Sequence, residues 1–171
     1  MLNVDQIFGR YDAGEMSRRE VVAALLAVAW PSTAQGQVTP PLIGPATQLN
    51  HATLYVQSVE RSQGFYQRLF GMPILTRQGQ GVNLRAGAGF LGLYPARDRG
   101  DPRIDHICLS VDGFDAKSAL AKLQTLKLNA EISQRGDTEE LYFDDPDGIS
   151  VQIQDTRYRG GVGRLGDRDP T

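Results

Sequence analysis

The sequence predicts an α+β fold in which two βαβββ modules form one cup-shaped mixed sheet, preceded by a helical N-terminal extension. Two observations carry this prediction. The only two histidines of the chain, His51 and His106, lie at the same point of an internal repeat, in LNHATLYV and in DHICLSVD. Each repeat then continues with a helical pattern and three short strand patterns, so the modules fall at about 48–95 and 103–156.

Both histidine segments alternate strictly between apolar and polar residues, which indicates half-buried strands. Six residues share the more polar faces: His51, Thr53 and Tyr55 in the first strand, and His106, Cys108 and Ser110 in the second. A duplicated unit of this kind can bring two imidazoles together. A histidine in a strand is more often a hydrogen-bonded structural residue than a metal ligand, and that interpretation stays open from these residues alone.

The segments after the histidine strands have helical spacing of apolar residues. SVERSQGFYQRLFGM ends in a glycine stop at Gly71, and DAKSALAKLQTLKL carries a comparable apolar stripe. Glycine-separated strand patterns follow each helix, and DPDG at 145–148 fits a type I turn before the last strand. Each helix is expected to cover one sheet face, which leaves the other faces to enclose a shared cup.

The last strand of each module should contribute side chains to this cup. Gly92 and Gln152 occupy equivalent places in these strands, and Tyr142 should share the inner face with Glu140. The residues expected in the cup besides the histidines are Thr53, Tyr55, Phe90, Gly92, Tyr94, Cys108, Ser110, Tyr142, Ser150, Gln152 and Gln154. Apolar walls with a few convergent polar groups are typical of small-molecule sites.

Composition excludes several classes of protein. The net charge is -2 and no basic stripe is interleaved with aromatic residues, which argues against nucleic-acid binding. The single cysteine, Cys108, excludes an internal disulfide and a cysteine-based metal cluster. No apolar run reaches the roughly 18 residues that a membrane-spanning helix needs.

The two ends of the chain differ from its middle. In residues 1–34, the pair Arg18 and Arg19, the apolar AALLAVAW and small residues up to Ala34 resemble a twin-arginine export signal, which would make the protein exported or periplasmic. Glu20 departs from that pattern, and the alternative is an amphipathic docking helix on a cytoplasmic protein. Residues 35–47 are expected to be a linker, 48–157 the functional domain, and 158–171 a disordered glycine-rich tail.

The segment 48–157 resembles the vicinal oxygen chelate superfamily, which includes glyoxalase I, extradiol ring-cleaving dioxygenases and bleomycin-resistance proteins. The resemblance is carried by LNHATLYV, FYQRLFGM, DHICLSVD and YFDDPDGISVQIQ. It implies paired modules around a metal site whose ligands come from the first and last strands. Position by position, these ligands match His51, Gly92, His106 and Gln152.

Two departures from the family pattern bear on function. Glyoxalase-type members carry a carboxylate where Gly92 stands, and many members carry Glu where Gln152 stands. A glutamine amide is a neutral donor and cannot act as a general base. The resemblance therefore implies a divalent metal, Fe(II), Mn, Zn or Ni, held weakly by His51, His106 and Gln152, or no metal at all. An anionic bidentate substrate would supply the missing charge.

Two functions follow as hypotheses. The first is a metal-dependent enzyme that chelates two neighbouring oxygens of a small substrate and is dioxygenase- or lyase-like rather than an isomerase. Tyr142, and then Tyr55, are its candidates for proton transfer, although both also suit a cavity wall. The second is a metal-free protein that sequesters a small molecule. The neutral Gln152 favours the second hypothesis and the histidine pair the first; a homodimer is compatible with both.

Overall fold

The computed structural model describes residues 4–22, 40–97 and 100–169. The chain divides into two compact units, residues 1–40 and 41–171. The first unit contains helix α1 (Val4–Asp12) and a short helical segment at 18–22. Ser17 and Glu20 cap this segment reciprocally, because Ser17 N donates to the Glu20 carboxylate and Glu20 N donates to Ser17 Oγ. The rest of the candidate export signal and most of the predicted linker lie outside the described residues.

The second unit contains one sheet of eight strands and two helices. In chain order these are β1 (Ala46–Val56), α2 (Val59–Phe70), β2 (Ile74–Gln78), β3 (Gly81–Ala86), β4 (Gly89–Pro95), β5 (Arg103–Val111), α3 (Ala116–Thr125), β6 (Ala130–Arg135), β7 (Thr138–Asp144) and β8 (Ser150–Asp155). The strands lie side by side in the order β2-β3-β4-β1-β5-β8-β7-β6. The prediction of two βαβββ modules in one mixed sheet is confirmed, and β1 begins inside the predicted linker.

Local sequence signals fix the helices of the two modules. Helix α2 begins after Ser58, whose side chain accepts a hydrogen bond from Arg61 N, and ends at Gly71 with a left-handed φ of 65°. Helix α3 begins after Asp115, which caps Ser118 N in the same way. Each helix packs on its own module, over apolar clusters that include Leu84, Leu93 and Leu141.

Strand pairing reproduces the internal repeat and brings the histidines to the centre of the sheet. Strands β1 and β5 pair antiparallel in the middle, and each pairs in parallel with the last strand of its own module. Thr53 lies opposite Gly92, and Cys108 lies opposite Gln152. Since Thr53 and Cys108 each follow a histidine by two residues, Gly92 and Gln152 are equivalent positions, as the spacing of the sequence predicted.

The segment after β8 differs from the expected disordered tail. Tyr158 is 3% exposed, and Val162 and Arg168 form an isolated bridge. Asn83 Nδ2 donates to the carbonyl of Gly160 at 2.8 Å, and Thr138 Oγ1 donates to that of Gly163 at 2.5 Å. Residues 158–169 are therefore held to both modules by buried hydrogen bonds, which low hydrophobicity does not reveal.

No helix among the described residues is long and apolar enough to cross a membrane.

Candidate metal and substrate site

The inner face of the sheet encloses a cavity of about 370 Å³. Nine of the predicted site residues line it: His51, Thr53, Tyr55, Phe90, Tyr94, His106, Tyr142, Ser150 and Gln152. Four others do not line it: Gly92, Cys108, Ser110 and Gln154. These four are buried for structural reasons instead. Ser110 accepts a hydrogen bond from Asn50, and Gln154 donates to the carbonyl of Glu139, so both are committed to packing.

The two imidazoles meet at the centre of the cavity. His51 Nε2 and His106 Nε2 are 3.2 Å apart, and the two side chains lie almost wholly out of solvent. The ring of His51 also stacks on Phe90, with centroids 4.3 Å apart. The expectation that the repeat brings the histidines together is confirmed.

The other nitrogen of each imidazole determines its tautomer. His106 Nδ1 lies 2.9 Å from the carboxylate of Asp105, which can only accept a hydrogen bond when ionised. His51 Nδ1 lies 2.9 Å from Asn50 Oδ1, and the amide of Asn50 is oriented because its Nδ2 donates to Ser110 and to the carbonyl of Tyr158. Both Nδ1 atoms therefore carry the proton, and two Nε2 lone pairs face each other. In metal sites, the hydrogen bond to the other ring nitrogen fixes the tautomer and the orientation of each histidine ligand in the same way.

Burial keeps His51 neutral. Burial lowers the pKa of His51 well below its ordinary value, and the neighbouring His106 lowers this pKa further. A side-chain contact with Gln152 acts in the opposite direction, as an acceptor oxygen does. An unprotonated imidazole is the form that binds a metal.

The site fits a divalent transition ion that binds chiefly through nitrogen. Two nitrogens 3.2 Å apart can both lie roughly 2.0–2.1 Å from one ion. Among the described residues no group of three or more His, Cys, Asp and Glu side chains could hold a metal, so a third protein ligand has to be neutral. Gln152 is 1% exposed and lines the same cavity, and its Nε2 has no hydrogen-bond partner. Its amide oxygen is the donor that this position offers.

The position equivalent to Gln152 in the first module has no room for a ligand. A Cβ atom on Gly92 would lie 3.0 Å from the ring of Tyr94, 3.1 Å from Asn83 Oδ1 and 3.2 Å from Thr53 Oγ1. These distances are tighter than ordinary van der Waals contacts, so the surroundings leave little space for a carboxylate side chain. At most three of the four positions matched by the family pattern can therefore offer a ligand side chain.

A buried carboxylate beside the histidines was not among the predicted site residues. Glu140 is 2% exposed and accepts hydrogen bonds from Tyr158 at 2.7 Å, Tyr142 at 3.1 Å and Arg135 at 3.3 Å. Alternation in β7 placed Glu140 on the cup face, but its partners Arg135 and Tyr158 lie on other segments. Burial and the contact with Glu140 raise the pKa of Tyr142, so its hydroxyl keeps its proton.

Negatively charged side chains outnumber positively charged ones in the lining of the cavity. Three carboxylates, Asp105, Glu131 and Glu140, and one guanidinium, Arg135, line the cavity. The formal charges of these four side chains, three negative and one positive, sum to -2, which a divalent cation would balance. The negative charge that Gln152 lacks as a candidate metal ligand is thus carried by other side chains of the cavity.

Comparison with known proteins assigns most of the second unit to a described family. The family model of the Glyoxalase/Bleomycin resistance protein/Dioxygenase superfamily matches residues 48–153. Metallothiol transferase FosB of Lysinibacillus sphaericus is 29% identical over 114 residues, which are 61% of this chain and 79% of that protein. Glyoxylase I 4 of Arabidopsis thaliana is 25% identical over 122 residues, covering 63% of this chain and 70% of that protein.

Among solved structures, the 2,3-dioxygenase LapB of Pseudomonas sp. KL28 superposes with a TM-score of 0.57 at 19% identity. The alignment covers 66% of this chain and 42% of the dioxygenase chain. This chain therefore spans less than half of that protein, and the likeness concerns the fold.

Proposed function

Because the chain belongs to the Glyoxalase/Bleomycin resistance protein/Dioxygenase superfamily, we propose that it is a metal-dependent enzyme that binds two neighbouring oxygens of a small substrate. One observation carries the proposal: the Nε2 atoms of two buried histidines converge at 3.2 Å. Lone pairs at this distance repel each other unless a cation lies between them. Asp105 and Asn50 hold both rings in the orientation that creates this convergence.

Each residue has a distinct role in this proposal. His51 and His106 hold the ion, with the amide oxygen of Gln152 as a third and weaker donor. The bound metal would act as a Lewis acid and as a template for the substrate oxygens. Tyr142 packs edge-on against His106 and donates a hydrogen bond to Glu140, so its hydroxyl oxygen can accept a hydrogen bond from a substrate hydroxyl.

The absence of a suitable base at the ligand positions favours dioxygenase- or lyase-like chemistry over isomerisation. Gln152 has no titratable proton near neutrality, and Gly92 offers no side chain. Glu140 is a buried carboxylate of the cavity lining, but hydrogen bonds from Arg135, Tyr142 and Tyr158 already occupy its two oxygens. Substrates that are already acidic, or become so on a metal, suit this site best.

The proposal is tested by metal analysis of the full chain purified without chelators. We expect one divalent transition ion per chain, Fe(II), Mn, Zn or Ni, in a protein that loses this ion in His51→Ala and in His106→Ala. Thr53→Ala, a change of a buried neighbour in the same cavity, is the matched control and should keep the ion. A wild-type chain that holds no ion and gains no thermal stability from added Mn(II), Zn(II), Ni(II) or Fe(II) would refute the proposal.

One observation supports a second candidate, a metal-free protein that sequesters a small molecule. Gln152 Nε2 is a buried donor without a partner. An oxygen of a bound small molecule would accept its hydrogen bond whether or not a metal is present. The metal analysis separates the two candidates, because only the enzyme hypothesis requires the histidines to bind an ion.

A further inference from the structure

Two buried hydrogen-bond donors of the cavity lack partners. Among the described residues, the buried side-chain nitrogen and oxygen atoms without a hydrogen bond are Gln152 Nε2 and Gln78 Nε2. Both side chains line the same cavity. A buried donor without an acceptor typically costs about 1–3 kcal/mol, so its presence in a binding cavity calls for an acceptor on the ligand. Gln152 lies beside the histidines, whereas Gln78 lies in the edge strand β2 and marks a different part of the cup.

The surroundings of Gln78 show which kind of acceptor would bind. Its Oε1 accepts a hydrogen bond from the hydroxyl of Tyr94, which fixes the amide and leaves Nε2 as the end without a partner. Burial raises the pKa of Tyr94, and the nearby Arg135 guanidinium opposes this rise, so a guanidinium lies near the same hydroxyl. Gln78 and Arg135 each end the edge strand of their module, and the cavity brings them together.

Glu140 positions this guanidinium without using all of its donors. Arg135 Nη2 donates to Glu140, whose two oxygens also accept from Tyr142 and Tyr158. Burial alone would lower the pKa of Arg135, but Glu140 and the tyrosines raise it, so the guanidinium remains charged. A guanidinium has five N–H donors in a fixed fork that matches an oxyanion, and a single bond to Glu140 leaves most of that fork for a ligand.

Apart from Glu140, the acidic groups of the cavity lie away from Arg135. Asp105 is engaged by His106, and Glu131 pairs in register with Tyr142 at the histidine level. Arg135 lies four residues farther along β6 than Glu131, which corresponds to roughly 13 Å of extended strand. Arg135 and His51 nevertheless line the same cavity of about 370 Å³. One small ligand can therefore span the distance between the two regions.

We propose that Arg135 and Gln78 form a subsite for an oxyanion, and that the substrate carries such a group apart from the oxygens that meet the histidines. Only the placement of the other substrate oxygens at the histidines rests on the proposed function; the oxyanion subsite does not. The substrate class is a small oxyacid, with a carboxylate or phosphonate at Arg135 and neighbouring oxygens at His51 and His106. Glu140 is a positioning residue in this arrangement.

The subsite is tested first without metal, by calorimetric titration of the full chain with benzoate, phenylphosphonate and the neutral benzamide. We expect one or both anions to bind, and benzamide to bind at least tenfold more weakly. If benzoate binds more tightly than phenylphosphonate, the oxyanion is a carboxylate; if phenylphosphonate binds more tightly, it is a phosphonate. Arg135→Met should weaken anion binding at least tenfold, and Gln78→Leu about fivefold. Arg77→Met removes an exposed arginine on the outer face of the same strand and is the matched control, with unchanged binding.

A second measurement guards against loss of folding in the variants. Melting temperatures of the ligand-free variants are measured beside wild type, because Gln78→Leu removes the acceptor of the Tyr94 hydroxyl together with the unpartnered donor. A variant that still unfolds cooperatively and binds the anion less well supports the subsite, whereas a merely structural glutamine would lower stability and leave anion binding of the folded protein unchanged. Equal binding of anions and benzamide by wild type, or anion binding that survives Arg135→Met, overturns the subsite.

The metal-loaded chain separates this inference from the proposed function. With Mn(II) or Zn(II) bound, 3,4-dihydroxybenzoate should bind at least tenfold more tightly than benzoate, since it adds two neighbouring oxygens to the same carboxylate. If benzoate requires Arg135 but the two hydroxyls add no affinity, the subsite stands and the chelating function fails. If both ligands ignore Arg135, the subsite fails whatever the metal does.

Discussion

Replacing Gln152 by glutamate tests how this cavity holds a metal. The wild-type amide is neutral and 1% exposed, and the variant places a carboxylate at the same point beside the two imidazoles. In the metal-free protein, burial should raise the pKa of the new carboxyl group. A raised folded-state pKa means that the variant loses stability as pH rises from the ordinary glutamate value of about 4.3, because the unfolded chain then releases its proton first.

The magnitude follows from two opposing terms. Opposite unit charges 4 Å apart attract by about 4 kcal/mol at an effective dielectric constant of 20, and a divalent ion strengthens this attraction. Desolvation of a buried carboxylate costs several kcal/mol and removes much of the gain. We therefore expect a net gain of about 1.4–2.7 kcal/mol in metal affinity, which is roughly a 10- to 100-fold lower Kd.

The assay is calorimetric titration with Mn(II) and Zn(II), with melting temperatures measured with and without each ion. Gln154→Glu is the matched control, since Gln154 is 3% exposed on the same strand but bonds to the carbonyl of Glu139 and does not line the cavity. The control should pay a similar desolvation cost without any gain in metal affinity. Equal metal affinities for wild type, Gln152→Glu and Gln154→Glu would refute the assignment of Gln152 to the metal.

Three further outcomes follow from the structure. Asp105→Asn should weaken metal binding by about 10- to 100-fold in a titration while the melting temperature changes little, because the carboxylate orients His106 from behind. Asp155→Asn should lower the free energy of unfolding by about 1 kcal/mol at pH 7. Hydrogen bonds from Arg157 lower the pKa of Asp155. In a pH series of wild type, this stabilisation should therefore be complete above the ordinary carboxyl pKa and disappear as the pH falls through the lowered pKa. Gly160→Ala should destabilise the protein about 1–3 kcal/mol more than Gly79→Ala in denaturant unfolding, because both glycines have positive φ but a Cβ only at Gly160 would lie 2.6 Å from Asn83 Nδ2; equal effects would show that the C-terminal segment is not packed.

The strands and helices could be predicted because their signals are local. Alternation around His51 and His106 indicates half-buried strands, and Ser58 and Gly71 delimit a helix through their own backbone preferences. The turn at 145–148 closes with a hydrogen bond from Gly148 N to the carbonyl of Asp145 at 3.0 Å, as its composition predicted. The equivalence of Gly92 and Gln152 also follows from counting residues along a repeat.

The polar network around Glu140 could not be predicted in the same way. Alternation placed Glu140 on the inner face, but it cannot show which donors reach it. The donors come from β6, β7 and the segment after β8, and Tyr158 was assigned to a disordered tail because glycines dominate that segment. Their contacts depend on how the edge strands curve towards each other, and no residue signals this curvature locally.

The element order, the duplicated module and the pair of histidines follow from the amino-acid sequence, since each of these depends on spacing within a few residues or within one repeat. Tertiary packing was needed to show that Asn50 and Asp105 orient the imidazoles, that the surroundings of Gly92 leave little room for a ligand side chain, and that Arg135 bonds to Glu140. These features join side chains that are distant in the chain, and their distances are set by packing of the whole sheet rather than by local preference.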